Sequence, residues 1–245
     1  MNETINLMMN HASVRKYKEE MIPKETVEKI VYAAQHAASS NFVQAYSIIH
    51  VTDQALKEKL AELSGNKHVS TCGAFLLCCA DFKRLAHAAT MHDKELVADT
   101  MESLLVTTID VTLLSQNIAL AAESLGYGIC YIGGVRNNPQ QISQLVNLPD
   151  RVVPLFGMTI GVPDEEQLVK PRLPVSAVLH ENTYDGEQYT QTLPAYDETM
   201  REYYKTRLTN QKDMTWTGSM ADFLSVERRM YLQEVLEERG LLRKQ

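Results

Sequence analysis

Apolar residues along the chain keep two alternating rhythms, one of helices and one of strands. Behind Pro23, the positions Val27, Ile30, Val31, Ala34 and Ala38 follow a helical period, and the helix is predicted to end at the polar run Ser39-Ser40-Asn41. Tyr46, Ile48, Ile49 and Val51 then predict a strand. Asp53 is placed to cap a second helix carrying Leu56, Leu60 and Leu63, which stops at Ser64-Gly65. The run Ala74 to Ala80, AFLLCCA, has strand length and no polar face, so it is predicted as a central strand covered on both sides.

The longest element is a helix from about Asp99 to Leu125. Met101, Leu104, Leu105, Ile109, Leu113, Leu114, Ile118, Ala121 and Leu125 form one broad stripe, and Val106, Val111, Leu120 and Ala122 add apolar residues off it. A helix apolar on most of its surface is buried on several sides, which here suggests sharing with a partner subunit. Gly126-Tyr127-Gly128 breaks it. The run ICYIGG reads as a short strand into a Gly-Gly turn, Gln140 to Leu148 as a short helix, and Val152 to Val162 as another strand. From Pro163 to about Leu193 the one regular pattern is an edge strand at Val175 to His180. So long an irregular stretch is expected to travel over a partner. Helical character returns at Tyr196 to Arg207 and Phe223 to Arg239. The chain reads as one domain, 1–245, of helix-rich α+β type, with an excursion over roughly 163–245.

A net charge of −7 repels nucleic acid and anionic membranes, so any anionic ligand must be met by a local basic cluster. The N-terminus lacks a basic region followed by an apolar run, and Glu102, Asp110, Gln116, Asn117 and Glu123 interrupt the long helix too often for a membrane span. Four cysteines without C-x-x-C spacing, three of them in apolar runs, suit a reduced cytoplasmic protein.

The chemistry narrows by elimination. There is no G-x-S-x-G and no H-E-x-x-H, and His87 and His92 are five apart, wrong for one helix face. Gly126, Gly128, Gly133 and Gly134 follow a helix rather than open one, so a dinucleotide fold of the G-x-G-x-x-G type fails. Basic and small polar loop positions remain: His11, Ser13, Arg15, Lys16 and Lys18; Lys170 and Arg172 in KPRLP; Arg207 and Lys212 in YYKTRLTNQKD. Arginine can grip a phosphate with two parallel hydrogen bonds. Taken singly, each cluster reads as a solvated face sooner than as a site.

The ordered set HASVRKY, QHAASSN, VQAYSIIHVTD, SGNKHV, AAESLGYGICYIGGVRN, VPLFGMTIGVP, KPRLP, HENTY, YDETMREYY and Thr215-Trp216 resembles the nitroreductase superfamily. Its nearest branch is the NADPH-dependent FMN oxidoreductases like flavin reductase P and the major oxygen-insensitive nitroreductase. The resemblance runs nearly end to end. It implies a mixed, mainly antiparallel sheet surrounded by helices, an intertwined homodimer with two noncovalent FMN sites at the interface, and NADPH as co-substrate, with NADH left open. It implies ping-pong two-electron transfer to flavins, quinones or nitroaromatics, with no catalytic side chain. The alternative is a flavin-binding sensor or storage protein without turnover.

By the same resemblance, His11, Ser13 and Arg15 match the motif that holds the FMN phosphate and ribityl chain, and Lys170 and Arg172 match its second basic motif. Ser39, Ser40 and Asn41 match a loop that lines the partner's flavin. Asn66 and Lys67 match a segment at the pyrimidine edge. Tyr131, Ile132, Gly133 and Gly134 match the stretch beside the isoalloxazine, where glycine would let bare backbone approach the ring. Arg207 and Lys212 match the residues that meet the 2′-phosphate of NADPH. Two positions depart from the pattern. Ala12 stands where Arg is frequent. Lys67 stands where Gln is usual, and two readings stay open there: raising the flavin potential or facing solvent.

Overall fold

The computed structural model describes residues 2–207 and 210–244, so Leu208 and Thr209, inside the stretch that holds Arg207 and Lys212, lie outside the described residues. The chain forms two compact units, residues 1–167 with 229–245, and residues 168–228.

The first unit is built on a four-stranded sheet of β1 (Tyr46–Val51), β2 (Ala74–Asp81), β3 (Gly128–Ile132) and β4 (Val152–Gly161), in the order β1-β2-β4-β3. All three pairings are antiparallel, so the mixed part of the expected sheet has no counterpart among the described residues. Strand β2 is buried at every position, as its unbroken apolar run requires. Pro154 sits inside β4 although it cannot donate to a ladder; the register slips beside it, between Cys78 and Cys79, into a bulge. The Leu155 carbonyl at this bulge accepts from Arg136 Nη1 at 2.6 Å.

Helices cover both faces of the sheet. On one side lie α2 (Lys24–Ala34) and α6 (Met101–Ser124), whose Val27, Ile30, Val111, Leu114 and Ile118 pack on Leu76, Cys78, Ile129 and Met158. On the other, α3 (Gln54–Ser64), α4 (His68–Thr71) and α7 (Pro139–Leu145) pack with Val14 and Tyr17 against Phe75, Leu77 and Ile132. Asp53 caps α3 through Leu56 N at 2.7 Å, and Gly65 closes it at φ 68°, the left-handed conformation that glycine adopts without strain. Helix α1 (Glu3–Met9) begins the chain, and α5 (Lys83–Thr90) follows β2.

Helix α6 buries Thr107, Asp110, Val111, Leu114, Ser115, Ile118, Ala119 and Ala122. Met101, Leu105, Ile109 and Leu113, four residues apart, are left 59, 50, 48 and 41 % exposed. By length and composition α6 could cross a membrane. Its packing on the sheet makes it a core helix with one apolar stripe uncovered.

Helix α2 ends at Ala34, and Ala38 lies beyond it, because the chain turns before the Ser39-Ser40-Asn41 run. Residues Val175 to His180 form no strand. Pro174 leads into a 3₁₀ turn, Val175–Ala177, with Val175, Val178 and Leu179 exposed; an apolar run without a partner strand does not make a ladder. In the second unit, α8 (Tyr189–Thr206) starts seven residues before Tyr196 and contains Pro194. The single helix expected over Phe223 to Arg239 is two, α9 (Trp216–Leu224) and α10 (Leu232–Glu238), with Arg229 between them at φ 53°. Helix α10 belongs to the first unit. There Leu241 is fully buried with Phe82, Ala98 and Val153, and Arg239 Nη2 donates to the carbonyls of Leu148, Pro149 and Val152.

Candidate functional site

The N-terminal segment is laid along β3. Val14 N donates to the Ile129 carbonyl at 2.9 Å, and the buried Tyr17 hydroxyl donates to Val14 O at 2.6 Å and shares a hydrogen bond with Thr159. These bonds fix residues 11–17 at the edge of the sheet. His11 Nδ1 lies 2.5 Å from Glu123 Oε1 at the end of α6. Ser13 is half-buried between His11 and the strand-bound Val14. The Arg15 side chain is exposed, and its guanidinium has no carboxylate partner among the described residues, a condition a phosphate ligand needs. Its charge is felt at Cys130 and at His68.

The loop after α3 meets the turn after β3. Asn66, Asn137 and Asn138 donate their side-chain amides to the last carbonyls of α3, at 2.6, 3.2 and 2.7 Å. These bonds satisfy groups that a helix end leaves open. A Cβ at Gly134 would overlap the Ser64 carbonyl and the Asn66 amide. Glycine at 134 is therefore demanded by the fit of these two loops, a different reason from close approach to a ligand. At Gly133 a Cβ would meet only Arg136, at 3.4 Å. Tyr131 points off the edge strand, 37 % exposed, with its hydroxyl 3.4 Å from both Ser115 and Gln116; burial pushes this phenol up to about 12. Ile132 is buried.

Lys67 is exposed at the start of α4. The next residue, His68, lies inside the SGNKHV run but is given no role by the resemblance. Its Nε2 is buried without a hydrogen-bond partner, and burial, then the Arg15 charge, hold its imidazole below the ordinary value. An orphaned ring nitrogen is costly unless something binds there.

Ser39, Ser40 and Asn41 lie elsewhere. The fully buried Asp110 of α6 accepts from Ser39 Oγ at 2.7 Å, Ser40 N at 2.8 Å and Ala45 N at 3.2 Å. Ser39 Oγ also accepts from Gln44 N at 2.7 Å. Asn41, Phe42 and Gln44 take positive φ around this carboxylate, and Phe42 is 80 % exposed. Asp110 and Glu123 thus anchor two separate loops on one helix, roughly 20 Å apart at about 1.5 Å per residue.

Within the second unit, Lys170 Nζ sits 5.4 Å from the Tyr204 ring centre, and Arg207 lies 5.8 Å from both the Tyr203 and Tyr204 rings. Arg172 donates to the Lys170 carbonyl at 2.5 Å, and Lys212 N donates to the Tyr204 carbonyl at 3.2 Å. The two basic motifs therefore share one aromatic platform. Tyr196, Met200 and Tyr204 form its small core, with Trp216 and Leu173 against it.

The model of the nitroreductase family matches residues 8–162, and that of the nitroreductase family C-terminal domain matches residues 170–244. A Cr(VI) reductase of Pseudomonas sp. (strain G-1) is 53% identical over 235 residues, covering 96% of this chain and 97% of that protein. The FMN reductase (NADPH) of Bacillus subtilis (strain 168) is 40% identical over 246 residues, covering 98% of each. The solved structure of B. megaterium NfrA1 superimposes with a TM-score of 0.94 at 45% identity, covering 98% of this chain and 99% of that one. By sequence along both matched segments and by fold, the chain belongs to the nitroreductase family.

Proposed function

We propose that the protein is an FMN-dependent oxidoreductase that uses NADPH to reduce small acceptors, working as a cytoplasmic homodimer. The observation that carries this reading is the meeting of three segments at one sheet edge. His11, Ser13 and Arg15, the Asn66–His68 loop, and Tyr131 to Gly134 come together there, with the buried His68 Nε2 unpartnered near the Arg15 charge. A guanidinium without a carboxylate and a half-buried neutral imidazole suit a phosphate-bearing, planar ligand.

The chemistry that FMN supplies when bound is two-electron transfer between NADPH and a second substrate. The protein binds and orients. Arg15 and His11 hold the phosphate, and within the second unit Lys170 and Arg172 form a second basic motif suited to a phosphate. Asn66, Lys67, Tyr131, Ile132, Gly133 and Gly134 line the ring. Arg207 and Lys212 meet the 2′-phosphate of NADPH. Because the loop at Ser39, Ser40 and Asn41 is tied to Asp110, far along α6 from the His11 anchor, it completes the partner's site. The uncovered stripe of α6 is the dimer seam, and residues 168–228 are the part of the expected excursion that embraces the partner.

The acceptors are flavins, quinones and nitroaromatics, and the name of the Pseudomonas relative adds chromate to the panel. The test is spectral and kinetic. Purified protein should be yellow, hold one noncovalent FMN per chain, and oxidise NADPH when each acceptor is added. A colourless protein that ignores added FMN refutes the reading. A flavoprotein that never turns over with any acceptor is the sensor or storage protein instead. For the enzyme and for the sensor or storage protein alike, Arg15→Ala should weaken FMN binding about 10- to 150-fold, the worth of a charge-assisted hydrogen bond.

A further inference from the structure

Glu123 has no role in the reading above, yet its placement is costly. It lies in the last turn of α6, at the end where the helix dipole disfavours negative charge, and no basic residue shares that turn. Its side chain is only 11 % exposed. Its one hydrogen-bond partner among the described residues is His11 Nδ1, at 2.5 Å. An ionised carboxylate can only accept, so Nδ1 carries the proton of this bond. Nε2 on the far side of the ring is then the nitrogen left for a ligand.

We propose that Glu123 is a positioning residue for cofactor binding, acting through His11. It sets the tautomer and the rotation of the imidazole so that Nε2 faces the phosphate. The inference rests on His11 being a phosphate contact. The same logic governs ligating histidines elsewhere, where a carboxylate on one ring nitrogen fixes what the other can bind. The bond also couples the loop to the long helix. Residue 11 is held by the end of the element whose middle, through Asp110, holds the Ser39–Ala45 loop.

The experiment titrates the full-length chain, freed of flavin, with FMN and with riboflavin, which lacks the phosphate. Glu123→Leu removes the acceptor, and Glu123→Gln keeps an acceptor without the charge. Glu123→Leu should weaken FMN binding about 3- to 10-fold, the range of one hydrogen bond, and leave riboflavin binding unchanged. Glu123→Gln should fall between it and wild type. In a His11→Ala background, Glu123→Leu should cost nothing further, because the effect passes through the ring. Equal losses for FMN and riboflavin, or additive losses with His11→Ala, make Glu123 merely structural and overturn the proposal. If His11→Ala itself leaves FMN affinity unchanged, the phosphate reading of His11 fails and this inference goes with it. Should the Leu variant not fold, the imidazole nitrogen resonances of wild-type His11 decide. FMN should move Nε2 and leave Nδ1 in place, and the reverse overturns the assignment.

Discussion

Replacing Asp110 should loosen the Ser39–Ala45 loop before it harms anything else. The carboxylate is fully buried and receives two backbone N–H groups, Ser40 and Ala45, and the Ser39 hydroxyl. In Asp110→Ala the hydroxyl can turn away, but the two N–H groups keep their positions and lose their acceptor. An unsatisfied buried donor costs about 1–3 kcal/mol, and removing a buried charge returns part of that, so the net destabilisation is expected near 3 kcal/mol. Asp110→Asn keeps the volume and one carbonyl oxygen. Its NH₂ then faces the Ala45 N–H, leaving one donor unmet and a loss of about 1–3 kcal/mol. Urea denaturation followed by circular dichroism gives both numbers, and amide hydrogen exchange localises them to Ser40 and Ala45. If Asp110→Ala loses less than about 1 kcal/mol while both amides stay protected, other contacts hold the loop and this account is wrong.

Arg207→Ala should raise KM for NADPH about tenfold and leave kcat and NADH kinetics in place, since a contact remote from the hydride acts equally on ground and transition states; equal losses with both nicotinamides would make Arg207 a structural partner of Tyr203 and Tyr204. Burial pushes Cys72 up to about 11 and Cys78 up to about 12, and raises Cys79 and Cys130 as well. A disulfide reagent at pH 8 should therefore find almost no thiol in the native protein and four after unfolding; fast native labelling contradicts this. Ile109→Glu, on the uncovered stripe of α6, should convert the proposed dimer to monomer in light scattering and release the flavin. A dimer that survives the added charge places the seam elsewhere.

Elements with dense local signals were legible in the sequence. Strand β2 announces itself by seven apolar residues in a row, and α3 by a capping Asp53 and a closing Gly65. What escaped depends on distant partners. Val175 to His180 has the apolar content of an edge strand but finds no ladder. Residues 225–231 contain helix formers but leave the helix, where Arg229 grips Asn137 and Tyr231 reaches the carbonyls of Arg136 and Asn137. The candidate site shows the same divide. Its motif residues are proposed through resemblance, whereas its supports carry no such signal. Asp110 and Glu123 were visible as polar breaks in an apolar helix, but their partners Ser39 and His11 lie 71 and 112 positions away. His68 carries no pattern at all; only burial marks it.

The return of residues 229–245 onto the first unit has a consequence for how the protein is made. Leu241 fills the space among Phe82, Ala98 and Val153, and Arg239 and Arg151 are joined by a backbone hydrogen bond of 2.8 Å. During synthesis the sheet and its helices emerge first, but that corner stays open to water until residues 229–245 follow. The intervening 168–228 segment is meanwhile tethered at one end only. The nascent chain thus waits with an incomplete corner while a second set of apolar side chains passes by it, the circumstance in which chaperones or early pairing with another nascent chain matter most.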